Sequence, residues 1–172
     1  MDRKKLIYDW NVEGDDAGPA PAQVMLDDET LRDGLQSPSV TDPAIELKRK
    51  ILHLQNDLGI ETTNIGLPGA GPRAVADVEA LCREIADHKL AIRPNCAART
   101  MICDIEPIVD ISQKTGVPIE ACLFIGSSPI RQYAEGWDEA FLLKQTTEAI
   151  RFARDNGLTV MYVTEDTSRA HP

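Results

Sequence analysis

The nonapeptide Asp28-Glu29-Thr30-Leu31-Arg32-Asp33-Gly34-Leu35-Gln36 decides the fold, because it joins a short apolar run to a turn that carries an arginine beside a carboxylate. The run before it, Val24-Met25-Leu26, is typical of a buried strand, and Gly34 with the serine and proline after it prevents the strand from continuing. Arg32 and Asp33 are therefore predicted at the carboxyl end of a strand, where α/β proteins place their ligand sites.

The pairing of an arginine with an aspartate at such a position has a specific chemical use. Arg32 offers a fixed fork of donors for carbonyl or carboxylate oxygens, and Asp33 offers hard oxygen ligands for a divalent cation. Together they could hold and polarise a 2-oxo acid. An ordinary surface ion pair at a strand end could have the same two residues, so the Arg-Asp pair alone does not distinguish a ligand site from a surface ion pair.

From Val24 onward, short β-like runs alternate with longer segments of helical period, which is the pattern of parallel βαβ units. This order fits either a doubly wound sheet or the first part of a (β/α)₈ barrel, and the pattern does not separate the two. The predicted strands are 24–28, 60–65, 89–94, 118–125 and 159–164, and the predicted helices are 43–58, 72–87, 101–115 and 137–156.

Composition and length bound the class of protein. A chain of 172 residues forms one domain most naturally, and we interpret residues 1–22 as an N-terminal extension and 23–172 as the domain. A net charge of -10 argues against nucleic acids and anionic membranes as partners. No apolar stretch approaches the roughly 20 residues that span a bilayer, and the N-terminus lacks the apolar segment of a signal peptide, so a cytoplasmic location is predicted.

Polar residues at the ends of the predicted strands are the candidate site residues, since the carboxyl ends of parallel strands share one edge. Glu165 suits proton transfer if a closed pocket raises its pKa, and pairing with Arg99 or Arg169 across the rim is an equally good interpretation. Strand by strand, the other candidates are Gln36, Asn64, Arg99 and Thr167.

The nonapeptide resembles the signature D-x-T-L-R-D-G-x-Q of the pyruvate carboxyltransferase-like superfamily, the DRE-TIM metallolyases. This superfamily includes 2-isopropylmalate, homocitrate and citramalate synthases and hydroxymethylglutaryl-CoA lyase. Further matches extend from Gln23 to the end of the chain. The resemblance implies an α/β fold, a partial TIM (β/α)₈ barrel with about strands 1–5 and helices 1–4. It also implies a catalytic domain incomplete at its C-terminus, because a complete barrel takes about 250 residues.

The resemblance also implies a chemistry. It makes Arg32 and Glu165 catalytic, Asp33 a ligand of a divalent metal ion (Mg, Mn or Zn), and acetyl-CoA the co-substrate that condenses with a 2-oxo acid. The full-length form is expected to be a homodimer. The family completes its metal site with a His-x-His pair from a later strand, so this fragment is expected to be inactive. His171, the one nearby histidine, is better explained as a rim residue than as a substitute ligand.

Three positions depart from the family pattern. Asn64 stands where strand two usually carries a glutamate, which leaves any charge-pairing role of that glutamate open. Met161 and Val163 stand where homocitrate synthases carry an arginine and a serine, so an apolar oxo acid such as 2-oxoisovalerate is favoured, with pyruvate behind it. Leu35 echoes the lyase branch, and the open alternatives are a lyase or aldolase and a non-catalytic half-barrel that binds a partner.

Overall fold

The computed structural model describes residues 23–170, in which five parallel strands form one curled sheet. The strands pair in chain order, each with the next, and every pairing is parallel. The fold class, a partial TIM barrel, is thereby confirmed. The strands are β1 (Asp27–Asp28), β2 (Thr62–Asn64), β3 (Arg93–Arg99), β4 (Glu120–Gly126) and β5 (Thr159–Glu165). The predicted extension, residues 1–22, and His171 lie outside the described residues.

Helices connect the strands and cover one face of the sheet. Short 3₁₀ turns follow three of the strands, at Gly34–Gln36, Pro68–Ala70 and Thr167–Arg169. The helices are α1 (Ile45–Asp57), α2 (Pro72–His88), α3 (Ile102–Thr115), α4 (Pro129–Glu135) and α5 (Glu139–Asp155). No helix in the described part of the chain is long and apolar enough to cross a membrane.

Helix α4 was not predicted from the sequence. It has a local explanation, since Ser128 caps its first turn by accepting a hydrogen bond from the Arg131 amide and Pro129 follows at the first helical position. Gly136 ends it in the left-handed conformation. Seven residues are too few to show a helical period, so the signal was confined to these caps.

Strand β3 lies about four residues later than predicted. The sequence favoured 89–94, whereas Lys89 is the left-handed C-cap of α2 and the strand begins at Arg93. Two alanines at 97 and 98 have low strand propensity, and their pairing with β4 places them in the sheet. Asn95 and Cys96 consequently lie within β3 and not after it.

The hydrophobic core lies between the sheet and its helices. Side chains alternate along each strand, so that Cys96 and Ala98 of β3 and Ala121 and Leu123 of β4 face the helices. Each large buried side chain there contributes about 1.5–3 kcal/mol relative to an exposed one. The helical members of the core include Leu52 of α1, Leu81 and Ile85 of α2, Ile105 and Ile108 of α3, and Ala149 and Ala153 of α5.

The opposite face of the sheet is concave, and we call it the inner face. It carries the alternate side chains of β3, β4 and β5, which the strand register aligns across the sheet. Met161 is 38% exposed and Val163 36% exposed, so the inner face is open to solvent at β5. The inner-face residues of these three strands are Asn95, Ala97, Cys122, Phe124, Met161 and Val163.

Candidate active site

The loop after β1 is held by Asp28, the first residue of the sequence signature. Its Oδ1 accepts hydrogen bonds from the Thr30 amide at 2.8 Å and from Gln55 Nε2 of α1 at 2.5 Å. The amides of Arg32 and Gly34 then both donate to the carbonyl oxygen of Glu29. Asp28 therefore folds the turn and ties it to α1, which fixes where the following arginine begins.

Arg32 is clamped between two carboxylates. Its Nη2 lies 2.6 Å from Glu29 Oε2, and its Nη1 lies 3.1 Å from Asp33 Oδ1. The arginine side chain is about a quarter exposed, whereas the Asp33 side chain is 65% exposed. The Nε of Arg32 is buried and has no hydrogen-bond partner among the described residues.

Glu29 also contacts Asn64, the residue that replaces the expected strand-two glutamate. Asn64 is 1% exposed, and its Nδ2 donates to Glu29 Oε1 at 3.2 Å while its Oδ1 accepts from the Gly66 amide at 3.3 Å. Glu29 thus joins β2 to Arg32 with a carboxylate. Sequence reasoning missed this residue, although its place three residues before Arg32 in a turn was a usable signal.

A row of contacts crosses the inner face below this group. Asn95 Nδ2 donates to Asp27 Oδ1 at 2.7 Å, and the Cys122 thiol lies 3.4 Å from Asn95 Oδ1 and 3.9 Å from Met161 Sδ. Burial raises the pKa of the Cys122 thiol to about 12, and nearby carboxylates reinforce the rise while Arg32 opposes it. Cys122 is therefore a neutral thiol.

A cleft of about 290 Å³ lies between the loops after β1 and β2, and both Arg32 and Gln36 line it. Its buried cation, Lys48, pairs with Asp42 at 2.6 Å and with Asp77 at 2.7 Å. Burial alone would lower the pKa of Lys48, but its hydrogen bonds to the two aspartates outweigh this effect and raise it. The charge of Lys48 is therefore matched within the protein.

A second cleft, of about 430 Å³, lies at the carboxyl ends of β3, β4 and β5, and it brings Arg99 and Glu165 together. Arg99 donates through Nε and Nη2 to Asp104, at 2.6 and 2.9 Å. The Arg99 hydrogen bond lowers the pKa of the buried Asp104 carboxyl. Within the described residues Glu165 has no ion pair, so the predicted pairing with Arg99 or Arg169 does not form.

The remaining candidates lie along β5 and just after it. Met161 lines a third cleft, of about 590 Å³, near the amino ends of the strands together with Asp27 and Asn95. Val163 is level with Phe124 of β4 on the inner face. Thr167 hydrogen-bonds through its hydroxyl to Thr164. The candidate residues therefore lie in two groups, one after β1 and β2 and one at the carboxyl ends of β3 to β5. Met161 lies apart from both, nearer the amino ends of the strands.

Asp33 can supply one of the ligands that a divalent cation needs. Asp33 contributes an exposed carboxylate beside Arg32, which is a suitable hard-oxygen donor. Over residues 23–170, the single group of three or more His, Cys, Asp or Glu side chains with converging ligand atoms lies elsewhere, on α1 and α2. The described residues therefore provide one donor for this ion.

Comparison with known proteins fits this arrangement. Residues 23–172 match the family model described as HMGL-like. The chain belongs to the HMGL-like family. This membership confirms the resemblance to the pyruvate carboxyltransferase-like enzymes that the sequence signature indicated.

Several curated relatives of this HMGL-like chain are synthases. It is 30% identical to a 2-isopropylmalate synthase of Sulfurisphaera tokodaii, over 86% of this chain and 36% of the relative. It is 28% identical to the mitochondrial homocitrate synthase of Saccharomyces cerevisiae, over 89% and 34%. It is 29% identical to a putative (R)-citramalate synthase of Methanopyrus kandleri, over 90% and 28%. The chain thus spans about a third of the length of the curated relatives it matches.

Proposed function

We propose that this chain is the N-terminal part of a metal-dependent acyltransferase that condenses acetyl-CoA with a 2-oxo acid. The observation that carries the proposal is the position of Arg32, held between the carboxylates of Glu29 and Asp33 directly after β1 within the family signature. The names of the matched relatives support the same reaction class.

Arg32 is the proposed electrophilic residue. Its side chain is about a quarter exposed and lines the cleft between the loops after β1 and β2, so the guanidinium can bind an oxygen of the 2-oxo acid. A pre-positioned donor of this kind stabilises negative charge that develops on oxygen during condensation. Glu29 and Asp33 fix the orientation of the guanidinium, so that no rearrangement is needed when the charge develops.

Asp33 is the proposed metal ligand, for Mg, Mn or Zn. When bound, the cation would supply Lewis-acid polarisation of the keto group. Its remaining ligands are proposed to come from outside the described residues. Since Asp33 is 65% exposed and contacts Arg32, the residue that holds the ion also orients the residue that binds the substrate.

Glu165 is the proposed proton-transfer group, and four further residues are proposed to bind substrates. Glu165 lies at the end of β5 in the same cleft as Arg99, whose side chain is 57% exposed despite its contact with Asp104. Gln36 shares a cleft with Arg32. The substrate-binding residues proposed in this group are Gln36, Asn64, Arg99 and Thr167.

The proposed oxo acid is apolar, in the manner of 2-oxoisovalerate. Met161 and Val163 occupy the inner face of β5 beside Cys122 and Phe124, which makes this part of the barrel interior apolar. A second carboxylate on the substrate would lose hydration there without gaining a partner. We therefore propose 2-isopropylmalate synthase-like activity ahead of homocitrate synthesis, with a cytoplasmic homodimer as the expected full-length form.

The test is a chimera in which residues 23–170 replace the matched segment of the Sulfurisphaera tokodaii 2-isopropylmalate synthase. Release of the coenzyme A thiol is measured with 2-oxoisovalerate, pyruvate and 2-oxoglutarate. We expect the fastest release with 2-oxoisovalerate. In Arg32→Ala the rate of release should fall about 100-fold or more, the usual effect of losing one oxyanion donor. Arg151→Ala, an exposed arginine of α5, is the matched control. A folded chimera that releases no coenzyme A with any of the three acids would contradict the proposal.

A lyase or aldolase of the same family is the second candidate, because Leu35 gives the segment Arg-Asp-Gly-Leu-Gln. Incubating the folded chimera with hydroxymethylglutaryl-CoA separates the two reactions, since only cleavage forms a new carbonyl product. A non-catalytic half-barrel is the third candidate, favoured by the open inner face. It predicts partner binding that does not respond to divalent ions.

A further inference from the structure

Two of the three histidines of this chain lie beside one glutamate where α1 packs against α2. His53 belongs to α1, and Glu84 and His88 belong to α2. Glu84 and His88 are four residues apart, so they lie on the same side of their helix and face the same neighbour. This group is far along the chain from Asp33 and takes no part in the function proposed above.

The ligand atoms of the three side chains converge. His53 Nε2 lies 2.8 Å from Glu84 Oε1, and His88 Nε2 lies 3.3 Å from the same oxygen. All three ligand atoms lie within 4.8 Å of one another. A tetrahedral zinc ion with bonds of about 2.0–2.2 Å holds its ligands roughly 3.3 Å apart. Only a small movement is needed, and His88, whose side chain is 57% exposed, has room to make it.

The surroundings orient the glutamate for this use. Arg49 Nε lies 3.3 Å from Glu84 Oε2, so this arginine pairs with one oxygen and leaves Oε1 to the two imidazoles. The positive charge of Arg49 also weakens attraction for a cation. A moderate affinity is therefore expected, below that of a closed site with four protein ligands.

We propose that His53, Glu84 and His88 form a divalent transition-metal site that links α1 to α2. Two imidazoles and one carboxylate suit Zn²⁺ in particular, with a fourth position left to water at the exposed side of the site. Within residues 23–170 no other three or more His, Cys, Asp or Glu side chains bring their ligand atoms together in this way.

The experiment titrates the metal-free 172-residue chain with Zn²⁺ in a calorimeter and follows the imidazole resonances of all three histidines by NMR. We expect one Zn²⁺ per chain, chemical-shift changes at His53 and His88 and none at His171, and a rise in melting temperature, since an ion that binds only the folded state stabilises it. Affinity should fall at least tenfold in His53→Ala and in His88→Ala.

Two controls make the result specific. His171→Ala removes the third histidine, and Asp33→Asn removes the carboxylate proposed for the other ion, so both should retain the Zn²⁺ affinity of the original chain. Absence of Zn²⁺ binding, or binding of unchanged affinity in the His53→Ala/His88→Ala double variant, would overturn the proposal. The imidazole chemical-shift changes in the unsubstituted chain test the proposed site even if a variant folds poorly, because they need no substitution.

Discussion

Arg32 owes its position to carboxylates on both sides of it, and one of them, Glu29, also bonds to a neighbouring strand. An amide at position 64 cannot carry negative charge, but its Nδ2 donates to the carboxylate that does. The carboxylate beside Asn64 is thus that of Glu29, in the turn after β1. Glu29 is accordingly a positioning residue for Arg32.

Replacing Glu29 with glutamine should test this role in the chimera. We expect kcat for coenzyme A release to fall about tenfold, equivalent to roughly 1.4 kcal/mol of lost transition-state stabilisation, with a smaller change in KM. Asp57→Asn, which neutralises an exposed carboxylate at the end of α1, is the control and should leave kcat unchanged. Equal kcat values for the two variants would show that Glu29 does not position the arginine.

Asp104 is the second residue whose charge matters, because it is 4% exposed and holds Arg99 through both oxygens. Asp104→Asn should lower the free energy of unfolding at pH 7 by about 1–2 kcal/mol, at the low end for charged hydrogen bonds since Arg99 is exposed. The hydrogen bond from Arg99 lowers the pKa of Asp104 in the folded state. Its stabilising effect is therefore complete above the unfolded pKa of about 3.9 and is lost as pH falls through the folded pKa.

Urea unfolding at several pH values provides the measurement. The difference between the original chain and Asp104→Asn should narrow as the pH is lowered below about 4. Asp110→Asn, an exposed position on the same helix, serves as the reference and should differ little from the original at any pH. A difference for Asp104→Asn that stays constant down to about pH 3 would contradict the ionic explanation.

Between the elements, Gly66 sets how closely the end of β2 approaches α2. Its φ is +152°, and a Cβ at this position would lie 2.7 Å from Val78 Cγ2. Gly59, after α1, also has a positive φ, of +79°. A Cβ at Gly59 would meet no heavy atom within 4 Å, so Gly59 shares the positive φ of Gly66 without the steric contact. Comparing alanine substitutions at Gly59 and Gly66 therefore separates the cost of backbone strain from the cost of steric conflict.

Gly66→Ala should therefore destabilise the chain more than Gly59→Ala. We expect Gly59→Ala to cost on the order of 1 kcal/mol from backbone strain alone, and Gly66→Ala to cost about 1–3 kcal/mol more because a helix or a strand end must shift. Urea denaturation of both variants gives the comparison. Equal destabilisation would mean that α2 moves freely away from β2.

The cysteines report on the same packing of strands against helices. Cys82 of α2, Cys96 of β3 and Cys122 of β4 are buried, whereas Cys103 in the first turn of α3 is exposed. Burial raises the pKa of Cys82 and of Cys122 to about 12 and also raises that of Cys96, so these thiols are both covered and neutral. A thiol that a reagent can reach is expected only at Cys103.

Titration with an aromatic disulfide reagent at mildly alkaline pH should show one rapidly reacting thiol in the native chain and four in urea. Cys103→Ser should remove the rapid phase and leave three thiols that react only after unfolding. Two or more rapid thiols in the unsubstituted protein would indicate that a strand or α2 opens readily.

At the scale of the whole molecule, the described residues form a half-barrel with two edges. Among them β1 pairs only with β2 and β5 only with β4, which leaves backbone donors and acceptors unpaired along the outer side of each. Met161 and Val163 add partly exposed apolar surface beside the β5 edge. Surfaces of this kind favour association.

The 172-residue chain should self-associate at micromolar concentrations, as measured by sedimentation velocity. Val163→Lys places a charge on the inner face of β5 and should shift the distribution toward monomer. Leu143→Lys changes an equally apolar, 68% exposed residue on α5 and should leave the distribution unchanged. A sharp monomer peak for the original chain at every concentration would contradict this expectation.

Local sequence was sufficient for much of this fold and for part of the site. The alternation of apolar runs predicted β2 to β5 and the longer helices, and the signature placed Arg32 and Asp33 after β1, because turns and amphipathic periods are encoded by neighbours in the chain. The buried strand predicted at 24–28 was wrong in its first three residues, since β1 is Asp27–Asp28 and Val24, Met25 and Leu26 are exposed. Helix α4 and the later start of β3 were missed. Short capped segments and alanine-rich strands take their conformation from pairing and caps more than from period.

What the sequence determined by itself is the βα order, the place of the Arg-Asp pair in the turn after β1 and membership of the HMGL-like family. What only the tertiary structure decided is which side chains meet: Glu29 with Asn64 across 35 positions, Lys48 with Asp77, and His53 with Glu84. The reason is physical. A strand end or a cap depends on residues within a few positions, whereas an ion pair between elements depends on register and helix packing that the whole chain sets together.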